Sequence, residues 1–447
     1  MGLMVELLKV VAALALVVGG DVAEARQQKG ELWAVLVAGS SSWMNYRHQA
    51  DVCHAYQILR QHGVPDDHII VMMTDDIAYN PENPDPGVII NRPGGPNVYQ
   101  GVPKDYTGED VTPENFLKAL SGDAAGLQGV GSGKVVRSGP NDRLFVNLVD
   151  HGAPGIFAFP DSYLKATELA DTILAMRRGR RFKEMVVYVE ACESGSMFAH
   201  LLPDDIGVYA VSASSPNQPS YACYMDEHLN TYLGDVFSVK WMEDTDREDI
   251  RRESLKKQFQ IVRQEVTEST VMHWGEIEID RQHLSQFLGD KRSASERKNR
   301  KNRLRENDLC LSSATPSPDV PVAVLQSRLR TSATPGEAEA LKQQLDSLHQ
   351  NRSFVSAVME SLVVHVTDAD LDIVEKVMHN AHGITRWPCY AASVAAFDKH
   401  CFGLARNPFA LRVLQPVVNL CEHGYTAEQF ANAVNAVCRH GVVTGIE

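Results

Sequence analysis

A cysteine and a histidine stand where they could act together as a nucleophile and its base. Cys192 follows the apolar run 185–189, and His151 follows the apolar run 144–149. A thiolate is a strong nucleophile, and a neighbouring imidazole can generate it and later protonate a leaving group. The two side chains are 41 residues apart, which leaves room for one helix, roughly 164–178, between two parallel strands. The pattern predicts that Cys192 and His151 lie side by side at the carboxyl ends of adjacent strands.

The elements that must position this pair follow an alternating pattern. Short β-branched or apolar runs are separated by helical or loop-like segments, which predicts an α/β domain with a mostly parallel sheet flanked by helices. A helix is expected over 47–61, because Gly63 and then Pro65 stop the pattern. The stretch 79–106 is rich in Pro, Gly and Asn and is longer than an ordinary connection, as is typical of functional loops. The predicted strands are residues 32–38, 68–73, 144–149, 185–189 and 208–212.

Composition limits the function. The length of 447 residues predicts two or more domains. The net charge of −14 disfavours nucleic acid or an anionic membrane surface as the main partner, because both would repel the chain. The eight cysteines show no metal-ligand spacing, and we expect neither a metal nor a cofactor.

The first 25 residues have the features of a secretory signal. An apolar core over 10–20 precedes Ala23-Glu24-Ala25, a small-residue cleavage pattern. The alternative is an uncleaved anchor, since Glu6 and Lys9 blur the usual charge pattern. No later stretch resembles a membrane helix, so we expect a protein of the secretory pathway without a membrane anchor.

The rest of the chain divides into three parts by composition. Residues 26–290 carry the α/β pattern, residues 291–335 are first basic and then Ser-, Pro- and Thr-rich, and residues 336–447 are helical in pattern. The middle part is linker-like, which indicates either a zymogen with a removable prodomain or an ordinary interdomain linker. Four late cysteines predict two disulfides in one of three connectivities, with four buried free thiols as the alternative. They are Cys389, Cys401, Cys421 and Cys438.

Six strings of the sequence carry a family resemblance. They are NYRHQAD at 45–51, DDIAY at 75–79, VPKDYTG at 102–108, DHG at 150–152, EACESGS at 190–196 and SYACY at 220–224. These strings resemble the legumain family, the asparaginyl endopeptidases, and the match runs from about residue 32 to the C-terminal cysteines. The resemblance implies a caspase-like α/β fold and proteolysis in acidic lysosomal or gut-type compartments, with cleavage after asparagine and sometimes aspartate. It also implies that the C-terminal helical region is an inhibitory prodomain with two disulfides. Cystatin-type inhibitors are further candidate partners.

The resemblance assigns catalytic roles to four residues. Cys192 is the nucleophile, and His151 is the base and later the acid. Asn45 orients the imidazole, and the backbone N–H groups of Gly152 and Cys192 form the oxyanion hole. Asp150 corresponds to an aspartate that can form a succinimide associated with peptide ligation, so ligase activity is an alternative on the same site.

The resemblance also places a specificity pocket. An asparagine side chain carries one acceptor and one donor group, so a selective pocket needs both donors and acceptors. Without the resemblance, Arg47 and His48 would be assigned to a solvated helical turn and Asp235 to a turn. The pocket residues are Arg47, His48, Glu190, Ser220 and Asp235.

Activation departs from the family pattern. Residues 328–332 contain no asparagine for self-cleavage. One hypothesis is a trypsin-like protease acting at Arg328 or Arg330. The alternatives are self-cleavage at a flanking asparagine or, in acid, at an aspartate: Asn302, Asn307, Asn351, Asp308 and Asp319. Activation is expected below about pH 5.5, where carboxylates begin to take up protons. Basic residues of the prodomain that could face an acidic catalytic domain are Lys399, Arg406 and Arg412.

Two other functions compete with the peptidase reading. A transamidase subunit would share the His and Cys pair, but its usual C-terminal hydrophobic segment is not found in this sequence. A catalytically inactive binding protein on the same fold is disfavoured, because each expected catalytic and pocket position is occupied by a suitable residue.

Overall fold

The computed structural model describes residues 30–292, 309–441 and 443–447. The predicted signal segment and the basic stretch 293–308 lie outside the described residues. The strands are β1 (Leu32–Ala38), β2 (Ile69–Met72), β3 (Arg143–Val149), β4 (Gly152–Ala153), β5 (Ile156–Phe159), β6 (Ser162–Lys165), β7 (Glu184–Glu190), β8 (Val208–Ser212), β9 (Tyr221–Asp226), β10 (Thr231–Asp235), β11 (Met272–Gly275) and β12 (Thr315–Pro316).

Six strands form the central sheet, in the order β11-β8-β7-β3-β1-β2. All its neighbours are parallel except β11, which runs antiparallel to β8. Strands β3 and β7 are adjacent, and Val149 pairs with Glu190 at their carboxyl ends. The residues that follow these two strands therefore emerge next to each other.

Helices cover both faces of this sheet. Two apolar clusters, one on each face, bury alternate side chains of the central strands, as expected for parallel strands that are buried on both faces. The helices of this part are α1 (Tyr46–Gln61), α2 (Pro113–Ser121), α3 (Ala166–Arg178), α4 (Val236–Arg247), α5 (Leu255–Glu265) and α6 (Ser285–Leu288).

Two small sheets were not predicted from the sequence. Strands β4, β5 and β6 form one antiparallel sheet between β3 and α3, and β10, β9 and β12 form the other. The two-residue β4 and four-residue β5 and β6 are too short for a periodic signal. The predicted helix over 164–178 accordingly begins two residues later, at Ala166.

The C-terminal part is helical, as its pattern predicted. Its core also includes Ala153, Ile156 and Ala158 of the β4–β5 hairpin, so this part packs directly on the α/β domain. The structure joins Cys389 to Cys421 and Cys401 to Cys438. The helices are α7 (Val320–Thr331), α8 (Pro335–Val366), α9 (Leu371–His379), α10 (Trp387–His400), α11 (Gln415–Glu422) and α12 (Ala427–Val437).

The segment predicted as a linker is partly ordered secondary structure. Residues 315–316 form β12, and residues 320–331 form α7. Pro321 stands in the first turn of α7, where a missing N–H costs no hydrogen bond. Composition alone predicted a linker. Ser, Pro and Thr are common in linkers and also at helix starts and turns, so composition could not distinguish the two. In the part of the chain that the structure describes, none of the helices is both long and apolar enough to cross a membrane.

Candidate active site

The ends of two central strands place the predicted nucleophile and base in one cavity. Strand β3 ends at Val149 and is followed by Asp150 and His151, whereas β7 ends at Glu190 and is followed two residues later by Cys192. His151 and Cys192 both line this cavity. The alternation of strand and helix thus brings a thiol and an imidazole together at the edge of the sheet, where ligands of open α/β folds bind.

The ring of His151 is held by Asn45. The amide nitrogen of Asn45 donates to the carbonyl oxygen of Ser41 at 2.9 Å, so its Oδ1 faces the ring and lies 2.8 Å from Nε2 of His151. With Nε2 as the donor, the proton of the neutral imidazole is on Nε2. Nδ1 is then left as the basic nitrogen.

Burial keeps the thiol and the imidazole uncharged in this form of the protein. The pKa of the Cys192 thiol is raised to about 12, mainly by burial and then by the charge of Glu193. Hydrogen bonds from Ser220 oppose this shift, and the backbone N–H of Ser220 lies 3.4 Å from the sulfur. Burial and the charge of Arg47 lower the pKa of His151 to about 3. A thiolate and imidazolium pair is therefore disfavoured while the site is covered.

Gly152 lets the two strand ends approach each other. A Cβ at this position would collide with the carbonyl oxygen of Cys192 and would lie 3.1 Å from the Cβ of Ala191. Only a residue without a side chain fits here without displacing the backbone. The backbone of Gly152 therefore packs directly against that of Cys192.

A fully buried arginine forms the centre of the predicted pocket. Arg47 comes from the first turn of α1, and its Nε donates to Oδ1 of Asp235 at 2.9 Å. One terminal nitrogen donates to the carbonyl of Met44 at 3.1 Å, and the other donates to Oγ of Ser317 at 2.7 Å. The expected solvated helical turn is wrong for this residue, because β10 covers it and supplies a carboxylate partner.

Carboxyl oxygens face the same space. Oε2 of Glu190 accepts from the backbone N–H and the hydroxyl of Ser238 at 2.8 and 3.0 Å. Oε1 of Glu190 and Oδ2 of Asp235 are buried and have no hydrogen-bond partner among the described residues. Burial raises the pKa of both carboxyls; the charge of Asp235 adds to the rise at Glu190, whereas Arg47 opposes the rise at Asp235. The pocket thus contains one fixed cation and buried acceptors with unused hydrogen-bonding capacity.

His48 lies between the pocket and the catalytic pair. Its Nδ1 is 2.6 Å from Oγ of Ser40, and its ring packs edge-on against His151 with centroids 5.0 Å apart. Its Nε2 lies 3.6 Å from Oδ2 of Asp235. Burial and the charge of Arg47 lower the pKa of His48 well below its ordinary value, so the ring is neutral.

Asp150 is buried beside the site. Its Oδ1 accepts from the backbone N–H of His151 at 2.6 Å, and burial raises its pKa well above the ordinary value. A Cβ at Gly39 would collide with this carboxyl, so a glycine gives it room. The nitrogen that would close a succinimide ring therefore lies directly against the Asp150 side chain.

Residues from beyond the α/β domain cover the cavity. Arg352 of α8 fixes this cover, because it donates to the carbonyl of Pro318, to Oδ1 of Asp319 and to the carbonyl of Glu447. Its guanidinium also lies 4.7 Å from the ring centre of Phe409. The covering residues that line the cavity are Ser317, Pro318, Val320, Pro321, Pro408, Phe409, Leu411, Arg412 and Glu447.

The covering segment enters the site as an added strand. Thr315 pairs with Ala222, and the backbone N–H of Ser317 donates to the carbonyl of Ser220 at 2.8 Å. A disulfide between Cys223 and Cys310 anchors the segment to β9. This pairing places Ser317 against Arg47, at the centre of the pocket.

Sequence reasoning missed the residues that close the site. Ser317 and Arg352 lie outside all six strings and far along the sequence from Cys192 and His151, so their role depends on how the chain packs. No periodic or spacing signal marks them. Cys310 had one usable signal. Four cysteines lie outside the C-terminal group and, with Cys192 as the nucleophile, Cys310 could pair with Cys53 or Cys223 in a secreted chain.

Fold and site together are those of a cysteine peptidase whose active site is closed by its own C-terminal region. Comparison with known proteins agrees. Residues 32–290 match the model of the Peptidase C13 family, and residues 343–438 match that of the legumain prodomain. Legumain of Bos taurus is 45% identical over 97% of this chain and 98% of its own length. The vacuolar-processing enzyme delta-isozyme of Arabidopsis thaliana is 36% identical over 92% of this chain and 91% of its own.

The chain therefore belongs to the Peptidase C13, or legumain, family. It is a cysteine endopeptidase with a C-terminal prodomain. The predicted fold class, a caspase-like mostly parallel sheet flanked by helices and followed by an all-helical prodomain, is confirmed.

Proposed function

We propose that this protein hydrolyses peptide bonds after asparagine, and after aspartate in acid, with Cys192 as the nucleophile. The observation that carries the proposal is the buried Arg47, which donates to Asp235 and whose charge also acts on Glu190, while each of these two carboxyls keeps one buried oxygen without a hydrogen-bond partner among the described residues. A carboxamide needs a donor for its oxygen and acceptors for its nitrogen, and this pocket offers both.

The proposed reaction uses the catalytic pair in two steps. The sulfur of Cys192 attacks the carbonyl carbon while His151 takes the thiol proton, and His151 then protonates the leaving amine as the C–N bond breaks. Water, deprotonated by the same imidazole, hydrolyses the thioester and restores the thiol. Asn45 keeps the ring oriented through both steps. The backbone N–H groups of Gly152 and Cys192 stabilise the oxyanion.

The proposed selectivity follows from charge and reach. Glutamine is one methylene longer than asparagine and does not fit the same donor and acceptor positions. An ionised aspartate would repel the carboxyls of Glu190 and Asp235, so aspartate is accepted only when a proton is taken up. Cleavage after aspartate should therefore increase relative to cleavage after asparagine as the pH falls.

Matched fluorogenic peptides with Asn, Gln or Asp before the reporter test this proposal. After prodomain removal, we expect the Asn peptide to be cleaved at least about 100-fold better than the Gln peptide, because a misfitting amide leaves pocket groups unpaired. The Asp to Asn ratio of kcat/KM should rise from pH 7 to pH 4. Equal cleavage of the Asn and Gln peptides would contradict the pocket assignment. An Asn-terminated product joined to an added amine, with no hydrolysis, would favour the ligase alternative.

We also propose that the prodomain keeps the enzyme inactive until acidification. Ser317 holds the terminal nitrogen of Arg47 that a substrate amide would need, and Arg352 holds the flanking Pro318. The substrates are peptides with asparagine before the cleaved bond, and the prodomain is the inhibitor in the same chain. This assigns the enzyme to an acidic compartment of the secretory pathway.

The pH dependence of release follows from two groups with opposite effects. His151 has a pKa near 3 when covered, and uncovering returns it toward its ordinary value of 6.5. Between these values the open form binds more protons, so acid favours opening. Burial raises the pKa of Glu193 from 4.5 to about 8, so this group binds more protons in the closed form and acid favours closing between those values. Below pH 4.5 the contribution of Glu193 no longer changes, whereas that of His151 still does.

These two groups place opening lower than the limit of about pH 5.5 expected from ordinary carboxylates. We expect the prodomain to open mainly below about pH 4.5, with an opening constant that rises up to about tenfold per pH unit. Binding of a labelled Asn peptide to the Cys192→Ser protein, which cannot cleave it, measures opening from pH 7 to pH 3.5. Adding His151→Gln to this background should flatten the pH dependence. If the double variant opens with the same midpoint and steepness, other carboxylates rather than His151 drive release.

The proposed processing site at Arg328 or Arg330 lies at the end of a helix that must unwind before it can be cleaved. Arg328 lies in helix α7 and pairs with Glu82 of the α/β domain. A trypsin-like protease acting at Arg328 or Arg330 would need α7 to unwind, because proteases bind extended chains. Processing after Arg328 or Arg330 should therefore follow acid opening rather than precede it.

A further inference from the structure

A network of hydrogen-bonded polar side chains runs along α1 to the specificity pocket. It begins at Asp246, passes through His54, Asn91 and Asp51, and ends at Asp235. The side chains of Asn91, Asp51 and Asp235 are all less than 5% exposed. Hydrogen bonds between such groups are strong, and leaving one of them unpaired is costly.

His54 lies near the outer end of this hydrogen-bonded network. Its Nε2 lies 3.0 Å from Oδ2 of Asp246, and its Nδ1 lies 2.8 Å from Oδ1 of Asn91. Both neighbours are oxygen acceptors, so the ring donates on both sides and carries a proton on each nitrogen. Burial alone would lower the pKa of His54, but the Asp246 carboxylate outweighs it and raises the pKa above the ordinary value.

Asn91 has its orientation fixed by these partners. Its oxygen accepts from His54, so its nitrogen faces Oδ1 of Asp51 at 2.7 Å and the carbonyl of Leu233 at 2.9 Å. The second oxygen of Asp51 accepts from the backbone N–H of Asp235 at 3.1 Å. Both acceptor oxygens of Asp51 are thus committed to holding strand β10 and the loop that carries Asn91.

The residue before Asp235 leaves room for this arrangement. A Cβ at Gly234 would lie 2.9 Å from Nδ2 of Asn91 and 3.1 Å from Oδ1 of Asp51. The first distance is shorter than real Cβ contacts and the second is tighter than most, so a larger residue at position 234 would have to displace the side chain of Asn91 or Asp51. The close approach of Asn91 and Asp51 to β10 is therefore built into the backbone.

We propose that His54, Asn91 and Asp51 position Asp235, and through it Arg47, for the side chain of asparagine. The proposal rests on the asparagine-specific function proposed above. None of the three residues belongs to the pocket lining, so they are positioning residues rather than catalytic ones. Displacing Asp235 by a fraction of an ångström would turn the Arg47 guanidinium, whose Nε is held by that carboxylate, away from the amide oxygen.

The test compares His54→Leu with His54→Gln in fully processed protein. Leucine fills the space but donates no hydrogen bond, so KM for the Asn peptide should rise about tenfold, the effect of losing one buried hydrogen bond. The preference for Asn over Asp should fall in parallel, while kcat changes less than KM. Glutamine can donate an N–H to Oδ1 of Asn91 and should recover most of the loss. Asp51→Asn is expected to have the same effect as His54→Leu. Its new NH2 group must face another donor, either the NH2 of Asn91 or the backbone N–H of Asp235.

Gln57→Leu is the matched control. Gln57 lies on the same helix and donates to the carbonyls of Val98 and Gln100 in the same loop, and it has no hydrogen bond to His54, Asn91 or Asp51 among the described residues. Its KM and Asn preference should match the wild type. If His54→Leu and Asp51→Asn behave like this control, or if His54→Gln is no better than His54→Leu, the positioning role is wrong. If wild-type enzyme fails to cleave the Asn peptide at all, the proposed function itself fails. If the Asp51→Asn protein does not fold, the comparison of His54→Leu with His54→Gln still tests the proposal.

Discussion

Replacing Cys192 with alanine should reduce kcat/KM for an Asn peptide by at least about 10⁴-fold, because no other group can form the thioester. The side chain lies beside Ser220 and in the cavity that His151 also lines. Removing one sulfur atom from a partly enclosed cavity should leave the fold intact. Turnover is measured after an added protease has removed the prodomain, so that failure of self-processing is not mistaken for loss of chemistry.

Cys53→Ala provides the matched control. Cys53 and Cys192 are the two free cysteines, and both are buried. Burial raises the pKa of Cys53 to about 12, and its sulfur contacts that of Met73 at 3.9 Å rather than any group of the site. This variant should keep its turnover. Substantial turnover by Cys192→Ala would mean that a different residue is the nucleophile.

Replacing Arg47 with methionine should reduce kcat/KM for the Asn peptide about 10³-fold and also destabilise the protein. The amide oxygen of the substrate loses its donor, and Asp235 loses the partner that lies 2.9 Å away. Breaking a buried pair by removing one partner costs about 3–5 kcal/mol of unfolding free energy. The loss of stability should be smaller in acid, because the raised pKa of Asp235 lets that carboxyl take up a proton.

A second variant separates folding from recognition. In Arg47→Met combined with Asp235→Leu, both buried charges are replaced by apolar groups, which should recover much of the lost stability. Activity toward Asn should stay low, because the donor and one acceptor are both gone. Thermal unfolding and peptide kinetics on the same samples report the two effects. Wild-type kcat/KM in Arg47→Met would rule out this arginine as the recognition group.

The sequence could predict the residues at the strand ends but not the residues that position the specificity pocket. Cys192 and His151 follow long apolar runs, and the rule that active sites form at the ends of parallel strands brings them together. Asp51 ends the string NYRHQAD but was given no role there, and His54 and Asn91 lie outside all six strings. Their hydrogen bonds join α1, the loop 79–106 and strand β10, so they exist only after the chain has packed. Such long-range contacts leave no local pattern.

The covering segment shows a second limit of sequence reasoning. Residues 315–331 look like a linker by composition, yet tertiary contacts give them a strand and a helix. Ser317 gains its position from pairing with β9 and from Arg47, neither of which lies nearby in sequence. Local propensity is weak in short segments, and packing decides.

The disulfide between Cys223 and Cys310 also sets the covalent topology of any processed form. It closes a loop with a sequence separation of 87 residues, and the basic stretch 293–308 lies inside that loop. A single cut within the loop opens it but yields two polypeptides that remain one covalent molecule until they are reduced. A cut beyond Cys310, such as one after Arg328, instead separates the helical prodomain and leaves strand β12 tethered at the rim of the specificity pocket.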